Sequence, residues 1–132
     1  MRQILFKAKR IDNGEWVEGH LIQNPYMGEV RSWISTPEDK TRLRAIATYY
    51  GDWRAVEVVT DTICQYTDLT DKNGKKIWEN DIMKYEWDGK TRIEVIKYQA
   101  PIFTYDKSFR WSLHEDEVIG NIFDNADLLK GE

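Results

Sequence analysis

The 132-residue sequence has little cysteine, histidine or proline: one cysteine, two histidines and three prolines. A lone Cys64 excludes an intrachain disulfide and fits a reducing cytoplasm. Together with His20 and His114 it supplies too few soft ligands for a structural zinc site. Long apolar runs are missing as well. The longest stretch without a charge, Gly19 to Gly28, is ten residues and contains Asn24 and Pro25, whereas a membrane helix needs about 20 apolar residues. No export-type hydrophobic segment follows Met1-Arg2, since Lys7, Lys9 and Arg10 come first. A cytoplasmic protein with no membrane partner is therefore expected. There is no surplus of positive charge: 19 Lys and Arg face 23 Asp and Glu, for a net charge of −4. That balance argues against a protein that wraps nucleic-acid phosphates wholesale. The acidity is C-terminal, with six acids and one base in residues 111–132. No fixed-period repeat and no Ser- or Gly-rich linker is present, so any junction between domains is short.

What is present is a core and a strand pattern. The chain is 41% hydrophobic and 13% aromatic, enough to bury the fraction of surface that a domain of this size hides. Ile4, Phe6 and Ala8 alternate with Leu5, Lys7 and Lys9. Asp12-Asn13-Gly14 then supplies turn residues, and Trp16-Val17 with Leu21-Ile22 resumes the extended pattern, which predicts a β-hairpin. Val30 to Ser35 and Ala55 to Thr60 read as strands. Between them, Thr36-Pro37-Glu38-Asp39 has the cap, the first-turn proline and the acids of a helix start, and one turn or little more is expected.

Further along, Thr62 to Tyr66 is a strand candidate, Asp71 to Lys75 a turn and Asp81 to Trp87 a strand. Asp88-Gly89 turns the chain into Thr91 to Tyr98. Ile102 to Tyr105 and Phe109 to Leu113 are paired around Asp106-Lys107-Ser108, and Val118 to Phe123 is the last strand. Asn125 is placed to cap a short terminal helix through Leu128 and Leu129, stopped by Gly131. Short strands at this spacing suit a small antiparallel barrel. On Asp81 to Trp87, Met83, Tyr85 and Trp87 share one face and Ile82, Lys84 and Glu86 the other, so the pattern leaves the inward face open.

The run Gln65-Tyr66-Thr67-Asp68-Leu69-Thr70-Asp71-Lys72-Asn73-Gly74-Lys75-Lys76-Ile77-Trp78-Glu79-Asn80-Asp81-Ile82 resembles the signature of the YopX family of bacteriophage and prophage proteins, roughly Q-Y-T-G-L-x-D-K-N-G-x-x-I-Y-E-G-D-I-V. Phe6-Lys7-Ala8-Lys9 resembles the family's F-R-A-W opening, and Glu117 to Asn125 its V-I-G-N-I-Y-E-N ending. Gln65, Tyr66, Asp71, Asn73, Gly74, Ile77, Asp81, Gly120 and Asn121 are the positions that carry the likeness, in structural roles. Asp68 and Asn80 stand where the family commonly has glycine, and Ala126 where it commonly has proline. Asn and Asp tolerate left-handed backbone best among non-glycine residues, so Asn80 is expected to keep the turn before Asp81. The resemblance implies a mainly β fold with an SH3-like barrel in the C-terminal part, and no assigned biochemical activity. The expected organisation is all-β with minor helix. Residues 1–60 form an N-terminal β region with one short helix, and residues 61–132 the SH3-like barrel, opened by the strand–turn–strand Tyr66 to Ile82 and closed by a short helix.

Asp68, Asp71, Asn73, Glu79, Asn80 and Asp81 are dense enough in oxygen to suggest a hard cation. Aligning Gly74 with the sixth position of an EF-hand loop, however, puts Leu69 first and Asn80 last, where Asp and Glu are required. Two Asx-stabilised turns are the better reading, with no metal and no cofactor. Cys64, mid-strand, reads as a buried small hydrophobe, and His114 belongs to a charged loop, so no enzymatic role is expected. Lys75, Lys76, Lys84 and Arg92 lie near Tyr85 and Trp87, a mixture suited to stacking and phosphate contact. Interleaved Glu79, Asp81, Glu86, Asp88 and Glu94 dilute that field. Seventeen aromatics exceed the needs of one small barrel, and Trp and Tyr anchor protein interfaces. Protein contact, with a second copy of the chain among the candidate partners, ranks first. Nucleic-acid binding ranks second.

Overall fold

The computed structural model describes residues 4–26, 28–35, 44–48, 51–99, 102–105 and 113–130. The protein is all-β. Its strands are β1 (Phe6–Lys9), β2 (Trp16–Tyr26), β3 (Glu29–Ser35), β4 (Arg44–Thr48), β5 (Gly51–Val58), β6 (Cys64–Thr70), β7 (Lys76–Trp78), β8 (Asp81–Trp87), β9 (Lys90–Gln99), β10 (Ile102–Tyr105) and β11 (Glu117–Asn121). They lie in two antiparallel sheets, ordered β4-β5-β3-β2-β1-β6-β7 and β10-β9-β8-β11. Helix among the described residues is confined to 3-10 turns at Thr60–Thr62, Leu113–Glu115 and Ala126–Leu129. The chain divides into two compact units at Gln65–Tyr66.

In the first unit the expected β1–β2 hairpin forms, with Ala8 opposite Val17 and Lys9 opposite Trp16. Asn13 Oδ1 accepts the Glu15 N–H at 2.9 Å and Gly14 sits at φ 74°, the left-handed geometry its position needs. Alternation then sorts the sheet into two faces. Ala8, Ile34, Val56 and Val58 are buried together, with Phe6, Val17, Leu21 and Ile63 packed against them. Ile34 and Val58, fully buried, each contribute about 1.5–3 kcal/mol. The strand expected over Ala55 to Thr60 ends earlier, at Val58. Thr62 uses its hydroxyl in the turn that follows: its Oγ1 donates to the Val59 carbonyl at 2.7 Å and accepts the Lys9 N–H at 2.9 Å. The Thr36–Asp39 helix start lies outside the described residues.

In the second unit β6 and β7 form the expected strand–turn–strand, with Tyr66 opposite Trp78 and Leu69 opposite Ile77. The register shifts between Tyr66 and Leu69, and there Asp68 takes φ 67°. Asn80 takes φ 72°, as its place at a family glycine predicts. Asp68 is exposed, so Asp68→Gly should raise stability by up to about 1 kcal/mol by relieving the left-handed penalty. Asp68→Val should lower it, and urea denaturation of the pair checks both signs. The β8–β9 hairpin closes through Asp88 (φ 54°) and Gly89 (φ 73°), the two-residue turn that matches strand twist.

One core cluster gathers Ile77 of β7, Met83 and Tyr85 of β8, Ile96 of β9, Phe103 and Tyr105 of β10, Leu113, and Val118 of β11. This settles the open face of β8: Met83 and Tyr85 point inward. The ladder β10-β9-β8-β11 is open among the described strands. Leu113, expected in a strand, instead begins a 3-10 turn, and the hairpin around residues 106–108 lies outside the described residues. The terminal helix is a single 3-10 turn, and Asn125 does not cap it with its side chain. Its Oδ1 accepts the Asn121 N–H at 3.1 Å instead, where Gly120 leaves room for it. Gly131 lies outside the described residues.

Candidate interaction surface

The family-signature residues build a structural knot in the second unit. Asp71 is buried and accepts from three backbone N–H groups: Asn73 and Lys75 on Oδ1, each at 2.9 Å, and Val118 on Oδ2 at 3.0 Å. Gly74 takes φ 81°, and Lys72 donates its N–H to the Asp116 carbonyl at 3.0 Å. Thus the β6–β7 turn is stapled to β11 through one carboxylate. Burial pushes the Asp71 carboxyl up, but the N–H groups of Val118, Lys75 and Asn73, with the Lys75 charge, more than offset it. The net shift is below the usual aspartate value. Asp81 repeats the device, its Oδ2 accepting the Trp78 N–H at 2.8 Å. Tyr66 packs its ring 5.3 Å from that of Trp78, while Gln65 pairs opposite Phe6. Ile77 is in the core, and Asn121 Oδ1 caps the N–H groups of Phe123 and Asp124. Asp71 and Asp81 thus use their oxygens as backbone acceptors, as the Asx-turn reading expects.

The proposed basic and aromatic set does not assemble on one surface. Lys75 and Lys76 are exposed at the start of β7. Lys84 is exposed on β8 opposite Ile93, so alternation places it on the face away from Tyr85 and Arg92. Tyr85 is a core residue: its ring stacks 4.8 Å from Tyr105, and its hydroxyl donates to Glu94. It therefore offers no ring face for a base. Tyr105 likewise donates to buried Asp116. Arg92 and Trp87 are exposed. Of the candidate nucleophile and bases, Cys64 is buried with its Sγ 3.3 Å from the Thr62 carbonyl. His114 is exposed beside Glu115, and His20 is exposed on β2.

A surface that motif reading missed emerges from register. The face of the first unit's sheet opposite its core carries Lys7 and Lys9 of β1, Trp16, Glu18, His20, Ile22 and Asn24 of β2, and Arg31 and Trp33 of β3. The pairings Lys9–Trp16, Lys7–Glu18, Ile22–Trp33 and Asn24–Arg31 set them side by side. The Lys7 and Lys9 ammonium groups lie 4.6 and 5.5 Å from the Trp16 ring centroid, and the Arg31 guanidinium 5.3 Å from that of Trp33. Both tryptophans are half-buried beneath these cations. Arg31 also forks onto Glu57 at 2.9 and 2.7 Å. That bond holds the Glu57 carboxyl below the usual glutamate range. The two tryptophan centres are separated by about 20 Å, the length of six strand residues. The signal in the sequence was the alternation of lysine with Phe6 and Ala8, and of Arg31 and Trp33 with Ser32 and Ile34. It acquires meaning only once the strands are paired.

The family model for the YopX protein matches residues 5–130. The chain belongs to the YopX family. No curated protein matches it. Among solved structures, this YopX chain is similar to protein EF1440 from Enterococcus faecalis, with 21% identity over 98% of this chain and 99% of that one, and a TM-score of 0.59. At that identity the likeness speaks for a shared fold. No helix among the described residues is long and apolar enough to cross a membrane.

Proposed function

We propose that this YopX chain is a non-enzymatic phage or prophage accessory protein that acts in the bacterial cytoplasm through protein contacts, self-association included. The observation that carries the reading is the outer face of the first unit, where Trp16 and Trp33 lie beneath cations and beside Glu18 and Glu57. Tryptophan and arginine are the residues that dominate interface energies. The alternation of both charge signs suits another protein surface better than a polyanion. The splitting of Lys84 from Arg92 and Trp87 weakens the nucleic-acid alternative. We also read the second unit as an SH3-like barrel, a reading supported by Ile77 of β7 sharing one core with all four strands of the β10-β9-β8-β11 sheet.

The discriminating experiment is fluorescence anisotropy with labelled single- and double-stranded DNA and RNA over a salt series. No salt-sensitive binding is expected. Binding that falls steeply with salt and is abolished by charge reversal at Lys75, Lys76 and Lys84 would overturn the protein-contact reading.

A further inference from the structure

β11 ends the order β10-β9-β8-β11, so its outer side is a sheet edge among the described strands. Such an edge offers N–H and C=O groups to any extended chain, and proteins commonly block it with lysine, proline or a covering loop. The strand Glu117-Val118-Ile119-Gly120-Asn121 has neither lysine nor proline. Its outward backbone groups are nevertheless taken. Asp71 Oδ2 accepts the Val118 N–H at 3.0 Å, the Asp116 carbonyl accepts the Lys72 N–H at 3.0 Å, and Asn125 Oδ1 accepts the Asn121 N–H at 3.1 Å. The Asp116 carbonyl and the Val118 N–H flank Glu117 and point the same way, which is how a strand bonds one residue of a neighbour laid beside it. Lys72 fills that neighbour's place. Its N–H makes the first bond, and the Asp71 carboxylate stands in for the backbone carbonyl that would make the second. Across this rung Lys72 Nζ lies 3.8 Å from Glu117 Oε2. The register shift between Val118 and Gly120 resets the alternation, so the Asn121 N–H also faces outward. The next N–H, of Ile122, points the other way, to the Asn80 carbonyl at 3.1 Å. Neither side-chain oxygen belongs to an extended backbone, so no ladder continues beyond it.

We infer that the β6–β7 turn and Asn125 close the β11 edge against strand addition, and that the strand they exclude is β11 of a second copy. Two β11 edges laid antiparallel are self-complementary, since each offers the other the same donors and acceptors about a two-fold axis. The device belongs to the second unit alone and is independent of the tryptophan face of the first.

Two measurements on the full chain test it. In amide hydrogen exchange, the Val118 and Asn121 N–H groups should be protected in the parent although they lie on an edge. Asp71→Asn keeps an amide oxygen for the Asn73 and Lys75 N–H groups and turns its NH2 toward Val118, so it opens the edge with the turn intact. It should speed exchange at Val118 about tenfold, the equivalent of one hydrogen bond, and Asn125→Ala should do the same at Asn121. In fluorescence anisotropy, a labelled peptide of residues 115–122 should not bind the parent. It should bind the protein carrying both substitutions, and Asp71→Asn alone more weakly, which decides the matter if the double variant does not fold. The peptide with its backbone nitrogens methylated should bind none of them. Met83→Ala, which loosens the buried core with the edge still closed, should take up no peptide. Binding to the parent, to Met83→Ala or by the methylated peptide overturns the inference. So does fast exchange at both amides of the parent, unchanged exchange at Val118 in Asp71→Asn, or no peptide uptake by folded Asp71→Asn protein.

Discussion

Replacing Asp71 with alanine is expected to lower the unfolding free energy by about 3 kcal/mol or more, because three N–H groups lose one acceptor at once and a buried unpaired donor costs about 1–3 kcal/mol. The bonds to Asn73 and Lys75 shape the turn, and the bond to Val118 ties that turn to a strand 47 residues away. The loss is therefore not confined to a loop. Urea titration at neutral pH should show a lower midpoint with an unchanged slope. A loss below about 1 kcal/mol would mean that water or neighbouring groups replace the carboxylate readily. The same residue sets an acid limb. Its carboxyl titrates below the ordinary aspartate value in the folded protein, so its contribution is complete above the unfolded value of about 3.9. It is lost as pH falls through the lower, folded value. The Asp71→Ala protein should therefore lose less stability than the parent between neutral pH and strong acid.

Gly19→Ala should be at least as damaging, by a different route. Gly19 points to the packed side of β2, and a Cβ there would lie 2.1 Å from the Ser35 carbonyl oxygen and 2.9 Å from its carbon. Both are backbone atoms in a paired strand, so no rotamer change relieves the overlap, and β2 must move against β3. We expect a loss of about 3 kcal/mol or more, at the upper end of overpacking penalties. Gly14→Ala is the useful contrast. Gly14 has open space around its would-be Cβ but a φ of 74°, so only the left-handed penalty of about 1–2 kcal/mol applies. Equal effects from the two substitutions would show that the close approach of β2 and β3 is easily relaxed.

Local chemistry was readable where one residue type dictates geometry. Asp12-Asn13-Gly14 and Asp88-Gly89 make the turns their composition demands, and Asp68 and Asn80 adopt positive φ at the positions that the family resemblance matches to glycine. Asp71 and Asp81 accept backbone N–H groups as Asx residues in turns do. Strand ends were less legible, because hydroxyls can compete with the ladder. Thr62 bonds the Val59 carbonyl and stops β5 early, and Asn125 bonds the Asn121 N–H rather than capping the following turn. Surfaces were least legible. Lys84 and Arg92 are near neighbours along the paired strands yet lie on opposite faces. Lys9 and Trp33 are far apart in the chain yet share one, since the face a strand residue occupies depends on register with partners elsewhere. Inspection by sequence proximity therefore proposed the Lys75 to Arg92 stripe and overlooked the tryptophan face.

The proposed protein contact is made by this face, with Trp16 and Trp33 at its two ends. His20 is exposed on β2 between Trp16 and Ile22, the partner of Trp33, and is the natural place for a photo-crosslinking residue. Irradiation of cells making the His20→benzoylphenylalanine protein should yield a discrete protein adduct that weakens when Trp16 or Trp33 is replaced by alanine. An adduct sensitive to nuclease, or no adduct at all from a folded protein, would contradict the claim.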